Sequence, residues 1–372
     1  MFLHFIDFDG KYTNKYLDFL KRNFDISEHF FSVIYRRKPP LLDQIMQLKN
    51  FQNRIITINI TRPNLVTLMK LIQLLSKADH IFFHGLFNPY TMVFFNLLPF
   101  FLKKSSWVLW GGDLYNYWLK NRHNFKETII ELMKKRIIKH IDSVIALVEE
   151  DYHFMKKKYE TQATYRFAFY PNPISYECLD YLKNSIKKNS KIIMIGNSAT
   201  ETNRHHEILE ALKDVLPDNF DYEIICPLSY GDSSYAKFVI SLGEKLFGKK
   251  FVPLTQFLDP HEYSKILASV DIAIFNHKRQ QGLGNILALL YSGKKVYIRS
   301  DVSTWQFLNR IGITVYDTIK ILNKEETNLF DFEKEIGDKN RQIVLREFSE
   351  KRCVELWKSI FDELRNKKGG GR

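Results

Sequence analysis

The chain of 372 residues carries 55 Lys and Arg against 42 Asp and Glu, a net charge of +13, and 45% of it is hydrophobic. That length and apolar content suit two domains with separate cores and exclude a disordered chain. Three scattered cysteines, Cys178, Cys226 and Cys353, form no CxxC and no even framework, which points to a reducing compartment and away from structural zinc or a disulfide scaffold.

The predicted elements alternate from the start. Met1 to Ile6 reads as a strand, and the charged residues Asp7, Asp9, Lys11 and Lys15 that follow it break up any apolar leader of a secretory signal. Strands are expected again over 55–60, 81–83, 107–110 and 143–148, with helical spacing over 64–76 and 126–140 between them. His84-Gly85 and Gly111-Gly112-Asp113 follow two of these strands. The stretch 90–102 is aromatic and aliphatic and closes on Lys103-Lys104. It falls short of the roughly 20 apolar residues that span a bilayer, so it is either a buried helix or an apolar face that meets the lipid interface beside its basic flanks. Charge is concentrated here: residues 1–172 hold 25 Lys and Arg against 15 Asp and Glu, whereas 173–372 hold 30 against 27. Such a basic half suits an anionic membrane surface or a phosphorylated ligand. No zinc-finger spacing, aromatic RNA-binding signature or helix-turn-helix is present, so no nucleic-acid partner is expected.

Near Tyr170-Pro171-Asn172-Pro173 the pattern stops, and two prolines with the polar run 183–190 mark a linker. The expected division is therefore 1–172 and 173–372. The second half repeats the alternation, with strands near 191–195, 222–226, 271–275 and 295–299, and one long final helix over about 339–366.

Three loops of this half carry the chemistry. After the strand 191–195, Gly196-Asn197-Ser198 leads through Asn203, Arg204 and His205 into a helix; after 222–226 come Pro227 and Tyr230, whose ring either stacks on a base or packs. After 272–275, Arg279-Gln280-Gln281-Gly282-Leu283-Gly284-Asn285 opens the next helix. Glycines that let the backbone approach, free N–H groups at a helix start and a forked guanidinium together suit phosphate oxygens. Two such loops on the carboxyl edge of one parallel sheet suggest a diphosphate site.

Two α/β sheets in tandem with phosphate loops in the second describe the GT-B glycosyltransferase layout, two Rossmann-like domains facing a cleft with a C-terminal helix packing across both. The motifs His84-Gly85-Leu86-Phe87-Asn88-Pro89, Trp110-Gly111-Gly112-Asp113-Leu114-Tyr115, Gly196-Asn197-Ser198 with Asn203 and His205, Pro227 with Tyr230, and Arg279 to Gly284 resemble, in order, those of the 4-acetamido-4,6-dideoxygalactose transferases of glycosyltransferase family 56. The resemblance runs from about residue 80 to 310. It implies transfer of an amino-deoxy sugar from a dTDP-sugar donor to a polyprenyl-diphosphate-linked saccharide at the cytoplasmic face of the bacterial inner membrane, as a peripheral protein with no cofactor. Gly196, Asn197, Ser198, Asn203, His205, Pro227, Tyr230, Arg279, Gln280, Gln281, Gly282, Gly284 and Asn285 are then the donor-binding candidates, with arginine and amide groups neutralising the leaving diphosphate so that no metal is needed. Asn88, Trp110, Gly112 and Tyr115 are the acceptor-side candidates. The proton of the acceptor hydroxyl needs a base, for which Asp113, Asp9 and His84, each following a strand of the first half, are the candidates. A non-catalytic sugar-nucleotide or lipid-surface binding protein, or a nucleotide-sugar epimerase, is the alternative reading. The first would need no base, and the second would turn over a nucleotide sugar without an acceptor.

Overall fold

The computed structural model describes residues 1–7, 13–39, 41–48, 51, 53–183, 186, 190–217, 220–326 and 328–369. Asp9, one of the three base candidates, lies outside the described residues. The chain divides into two compact units, Met1–Pro171 with Glu350–Arg372, and Asn172–Ser349.

The first unit holds a seven-stranded, all-parallel sheet built from β1 (Phe2–Phe5), β2 (His29–Tyr35), β3 (Ile55–Asn59), β4 (His80–His84), β5 (Ser105–Val108), β6 (Ser143–Ala146) and β7 (Thr164–Phe167), in the order β3-β2-β1-β4-β5-β6-β7. A parallel sheet is covered on both faces, and the sequence shows why this one is. Along β1 and β4 the odd and even positions are both buried: Leu3, Phe5, Ile81 and Phe83 enter a core with Leu71, Phe95, Ile137 and Met155 from the following helices. On the other face Phe2 (tilted) and Phe82 (edge-on) pack against Phe361, and His4 and His84 lie beside Tyr16. Trp357, fully buried, donates its indole N–H to the Phe169 carbonyl at 2.9 Å, which fixes the last helix to this unit. Burying a side chain of that size contributes on the order of 2–3 kcal/mol.

The second unit repeats the plan with a six-stranded parallel sheet, β8 (Lys191–Ile195), β9 (Tyr222–Pro227), β10 (Phe251–Leu254), β11 (Ile272–Phe275), β12 (Lys295–Ile298) and β13 (Tyr316–Asp317), ordered β10-β9-β8-β11-β12-β13. In both sheets the chain runs outward from a central strand, then returns to that strand's other side. The strand order therefore reverses between β1 and β4 and again between β8 and β11, the positions where loops part at the carboxyl edge and leave a crevice for a ligand.

Two expectations need correction. The single helix over 339–366 is two, Lys334–Phe348 and Glu350–Gly369, because Ser349 is extended (φ −67°, ψ 156°), the conformation that a capping serine favours. The domain assignment 173–372 is corrected with it, since the second of these helices packs in the first unit. Four strands were not foreseen, β2, β7, β10 and the two-residue β13.

Candidate functional site

In the second unit, the loops after β8, β9 and β11 are knitted together by side-chain amides. Gly196 continues the strand by donating its N–H to the Ile274 carbonyl at 2.9 Å and then turns at φ +69°. Only glycine fits there, because a Cβ would lie 2.5 Å from His205 Nε2 and 2.7 Å from Asn203 Oδ1. The turn wraps around Asn203, whose Oδ1 accepts the Asn197 N–H at 3.0 Å while its Nδ2 donates to Thr200 Oγ1 at 2.7 Å and the Thr200 carbonyl at 3.1 Å. Gln281, arriving from the loop after β11, donates to Asn197 Oδ1 at 3.1 Å and Thr200 Oγ1 at 3.0 Å and accepts from Thr202 Oγ1 at 2.7 Å. Asn197 Nδ2 donates to the Tyr230 hydroxyl at 2.8 Å, bringing in the loop after β9. There Gly231, at φ +120°, lies so close to the Ala199 carbonyl that no side chain fits.

Gly196, Asn197, Ser198, Asn203, Tyr230, Gln281 and Gly282 are thus gathered at the crevice between β8 and β11; a Cβ on Gly282 would sit 3.2 Å from Asn197 Cγ. Gly282, at φ +69°, is the residue from which the helix Leu283–Tyr291 starts. His205 begins the helix His205–Val215 directly behind Gly196; burial pushes its pKa down to about 3, and its Nε2 has no hydrogen-bond partner among the described residues. The buried Gln280 Oε1 is likewise unpartnered among them. Three candidates are placed elsewhere. Asn285 donates to the Tyr263 hydroxyl at 2.8 Å, Gly284 packs against Asn172 and Pro173, and Pro227 closes β9 within the sheet.

Sequence reasoning missed five residues of this site, Thr200, Thr202, His277, Lys278 and Arg299. Thr200 and Thr202 close the amide network, and His277 is buried beneath it, Nδ1 facing the Gln281 carbonyl at 3.1 Å and Nε2 facing Asn203 Oδ1 at 2.9 Å. Lys278, next to Arg279, has its pKa lowered first by burial and then by Arg299 and Arg204. Arg299, at the end of β12, donates to Asn276 Oδ1 at 3.2 Å and is held by Asp301 at 2.6 Å. Arg204, held at φ +49°, pairs with Glu207. The available signal was position alone: each lies within a few residues of the carboxyl end of a strand. Among the described residues no cluster of His, Cys, Asp or Glu has the makings of a metal site.

In the first unit the candidates gather at the carboxyl ends of β4 and β5. Asp113 is buried, and its two oxygens accept from the Trp107 indole at 2.7 Å, the Leu86 N–H at 2.9 Å and the Trp110 N–H at 3.1 Å. Burial raises its pKa despite these donors. So engaged, the carboxylate pins the loops after β4 and β5 to each other. Asn88 does the same between strands, donating to Asp7 Oδ1 at 2.8 Å and the Ile34 carbonyl at 2.9 Å while capping the helix Pro89–Leu97. Gly112 is buried in the first turn of the helix Gly112–Trp118. Tyr115 turns toward the helix Glu149–Tyr159 and donates to Asp151 at 2.7 Å.

His84 ends a chain of buried imidazoles. Its Nε2 lies 2.9 Å from His4 Nδ1, and His4 Nε2 lies 2.9 Å from His29 Nδ1, while His84 Nδ1 meets the Tyr170 hydroxyl. Burial lowers the pKa of all three, to about 3 at His84 and His29. Tyr170, which sequence reasoning treated only as part of the linker, packs its ring 4.4 Å from that of Trp110.

A family model described as 4-alpha-L-fucosyltransferase glycosyl transferase group 56 matches residues 48–349. Among solved structures, the chain is similar to a glycosyltransferase from Rickettsia africae ESF-5, at 15% identity over 98% of both chains with a TM-score of 0.64. It is similar also to sucrose-phosphate synthase from Thermosynechococcus elongatus, at 11% identity over 98% and 99% with a TM-score of 0.70. Anabaena HepE in complex with UDP matches at 14% identity over 98% and 99% with a TM-score of 0.68. At these identities the solved structures speak to the fold, which is GT-B.

Proposed function

Because the chain belongs to glycosyl transferase group 56 and is a glycosyltransferase, we propose that it moves an amino-deoxy sugar, 4-acetamido-4,6-dideoxygalactose or a relative, from a dTDP-sugar to a polyprenyl-diphosphate-linked saccharide. The product is a surface glycan of the enterobacterial common antigen or O-antigen type, and the enzyme works as a peripheral protein at the cytoplasmic face of the inner membrane. The observation that carries the donor half of this reading is the joining of three loops at one strand-order reversal through Gln281, Asn197 and Tyr230. Lys278, whose N–H bonds the Thr202 carbonyl of that knot at 3.0 Å, is followed by Arg279, and the helix Leu283–Tyr291 opens from Gly282 a few residues on. The diphosphate of a nucleotide sugar needs this combination of positive charge and donors, and needs more of it as the glycosidic bond breaks and charge builds on the leaving group. HepE, solved in complex with UDP, supports a nucleotide ligand for this architecture.

On the acceptor side, Asp9, His84 and Asp113 remain the residues to test as base, with Trp110 and Tyr170 as the aromatic surface for a sugar. Asp113 bonds three N–H donors. Asp113→Asn is therefore expected to lower thermal stability and activity together, whereas removal of the true base lowers kcat with the melting temperature retained. The deciding experiment incubates purified protein with dTDP- and UDP-sugars and extracted lipid-linked acceptors and follows nucleotide diphosphate release. Acceptor-dependent release from dTDP-sugars supports the reading. Strict preference for UDP-sugars refutes the donor assignment, and turnover without acceptor favours an epimerase.

A further inference from the structure

The first unit leaves a set of large apolar side chains outside its core, and they share one surface. The helix Phe125–His140 buries Lys134, Ile137 and Ile138 on one side. On the other it presents Phe125, Ile129 and Leu132, at positions i, i+4 and i+7 of a single helical stripe. The helix Pro89–Leu97 and the 3-10 turn Pro99–Lys104 behave alike: Met92, Phe95, Phe101 and Leu102 are buried, while Val93, Leu97 and Phe100 face outward. Asn96 Nδ2 donates to the Met133 carbonyl at 3.1 Å, so the two stripes run side by side. Phe125 is 82% exposed, Leu97 75%, and Phe100 and Leu132 61% each, values that single surface hydrophobics reach but that a contiguous set does not without a partner.

The charge around this ridge has one sign. Pro89–Lys104 contains no carboxylate, and the two on Phe125–His140 are already matched, Glu127 by Lys120 at 2.5 Å and Glu131 by Lys134 at 2.7 Å. Lys103, Lys126, Lys135 and Arg136 have no carboxylate partner among the described residues. No helix of the described residues is long and apolar enough to cross a membrane. We infer that the face formed by Leu97, Phe100, Phe125 and Leu132 with its rim of Lys103, Lys126, Lys135 and Arg136 docks on an anionic phospholipid bilayer, the side chains entering the acyl boundary and the cations meeting lipid phosphates. An apolar ridge with an unpaired basic border matches that interface, where each component adds to the other. The inference rests on the peripheral-membrane reading above and assigns it to one surface.

The test is co-sedimentation of the full chain with vesicles of phosphatidylcholine alone and of phosphatidylcholine with phosphatidylglycerol. Binding is expected only with the anionic lipid, weakening as salt screens the rim. The variant Leu97→Ser, Phe100→Ser, Phe125→Ser, Leu132→Ser and the variant Lys103→Gln, Lys126→Gln, Lys135→Gln, Arg136→Gln are each expected to bind at least about tenfold more weakly. Both should retain the circular dichroism spectrum and dTDP affinity of the parent. If the parent ignores both vesicles, the membrane reading itself is refuted. If the parent binds and both variants bind equally well, only this face is wrong. Concentration-dependent dimerisation that the serine variant abolishes, with vesicle binding intact, would assign the ridge to a second copy of the chain and overturn the inference.

Discussion

Gly196→Ala is the most direct probe of the proposed donor loops. At φ +69° an alanine there adopts a left-handed conformation, at a cost of about 1–2 kcal/mol. Its Cβ would also stand 2.5 Å from His205 Nε2 and 2.7 Å from Asn203 Oδ1, so both must move, which adds about 1–3 kcal/mol. Asn203 is the hub that holds the Asn197 N–H and both Thr200 oxygens. A total of about 2–5 kcal/mol is therefore expected in the second unit, along with at least a tenfold loss of dTDP affinity as Asn197 is released. Gly293→Ala supplies the control: its φ is also +69°, but the added Cβ would meet nothing nearer than 3.7 Å, so backbone strain acts alone. Denaturant unfolding and titration calorimetry with dTDP measure the two effects. If Gly196→Ala matches Gly293→Ala in stability and binds dTDP as tightly as the parent, the close-packed loop is not the ligand site.

Other expectations follow from the buried histidines and from Gln281. His4, His29, His80 and His84 are held neutral by burial, their pKa values lowered to about 3 at three of them. In the unfolded chain they protonate near pH 6.5, so stability is full above that value and declines as pH falls from 6.5 toward 3. The decline reaches about 2 kcal/mol per histidine at pH 5, and urea melts across this range that show no loss would contradict it. Both ring nitrogens of His277 face acceptor oxygens, which only the doubly protonated ring satisfies, yet burial and Arg279 lower its pKa to about 3. An anion at the neighbouring loop relieves that conflict. Binding of dTDP near neutral pH is expected to take up as much as one proton, seen as a dependence of the calorimetric enthalpy on buffer ionisation; a buffer-independent enthalpy rejects the assignment. Gln281→Ala strands Thr202 and Asn197 partners in a buried setting, at about 1–3 kcal/mol for each group left unsatisfied. Weaker dTDP binding with a modest drop in melting temperature is expected, and unchanged binding would remove Gln281 from the site.

The signals that could be read along the chain are short-range ones. Apolar runs such as Lys191–Ile195 and Ile272–Phe275, broken by glycine and polar residues and followed by helical spacing, mark strand, loop and helix within about fifteen residues, and parallel sheets place such loops on one edge. The loops holding Gly196, Asn197, Gln281 and Gly282 were legible for that reason. β10 was not, because Pro253 weakens its strand pattern at the sheet edge, where a missing N–H is tolerated. Side-chain partnerships across the chain carry no local signature. Asp113 looks from its Gly-Gly-Asp setting like an exposed acid, and only folding brings the Leu86 and Trp107 donors onto its carboxylate. His4, His29 and His84 are separated by many residues and become one hydrogen-bonded chain only because β1 lies between β2 and β4.

The amino-acid order by itself determined the alternation of strand and helix, the two glycine-marked loops and the family motifs, since each depends on neighbours along the backbone. The tertiary structure alone decided that the helix Glu350–Gly369 belongs to the first unit and that Gln281, Asn197 and Tyr230 meet. It alone left Leu97, Phe100, Phe125 and Leu132 outside the core. Those outcomes depend on which residues far apart in the chain compete for the same buried space, and periodicity in one segment holds no record of that competition.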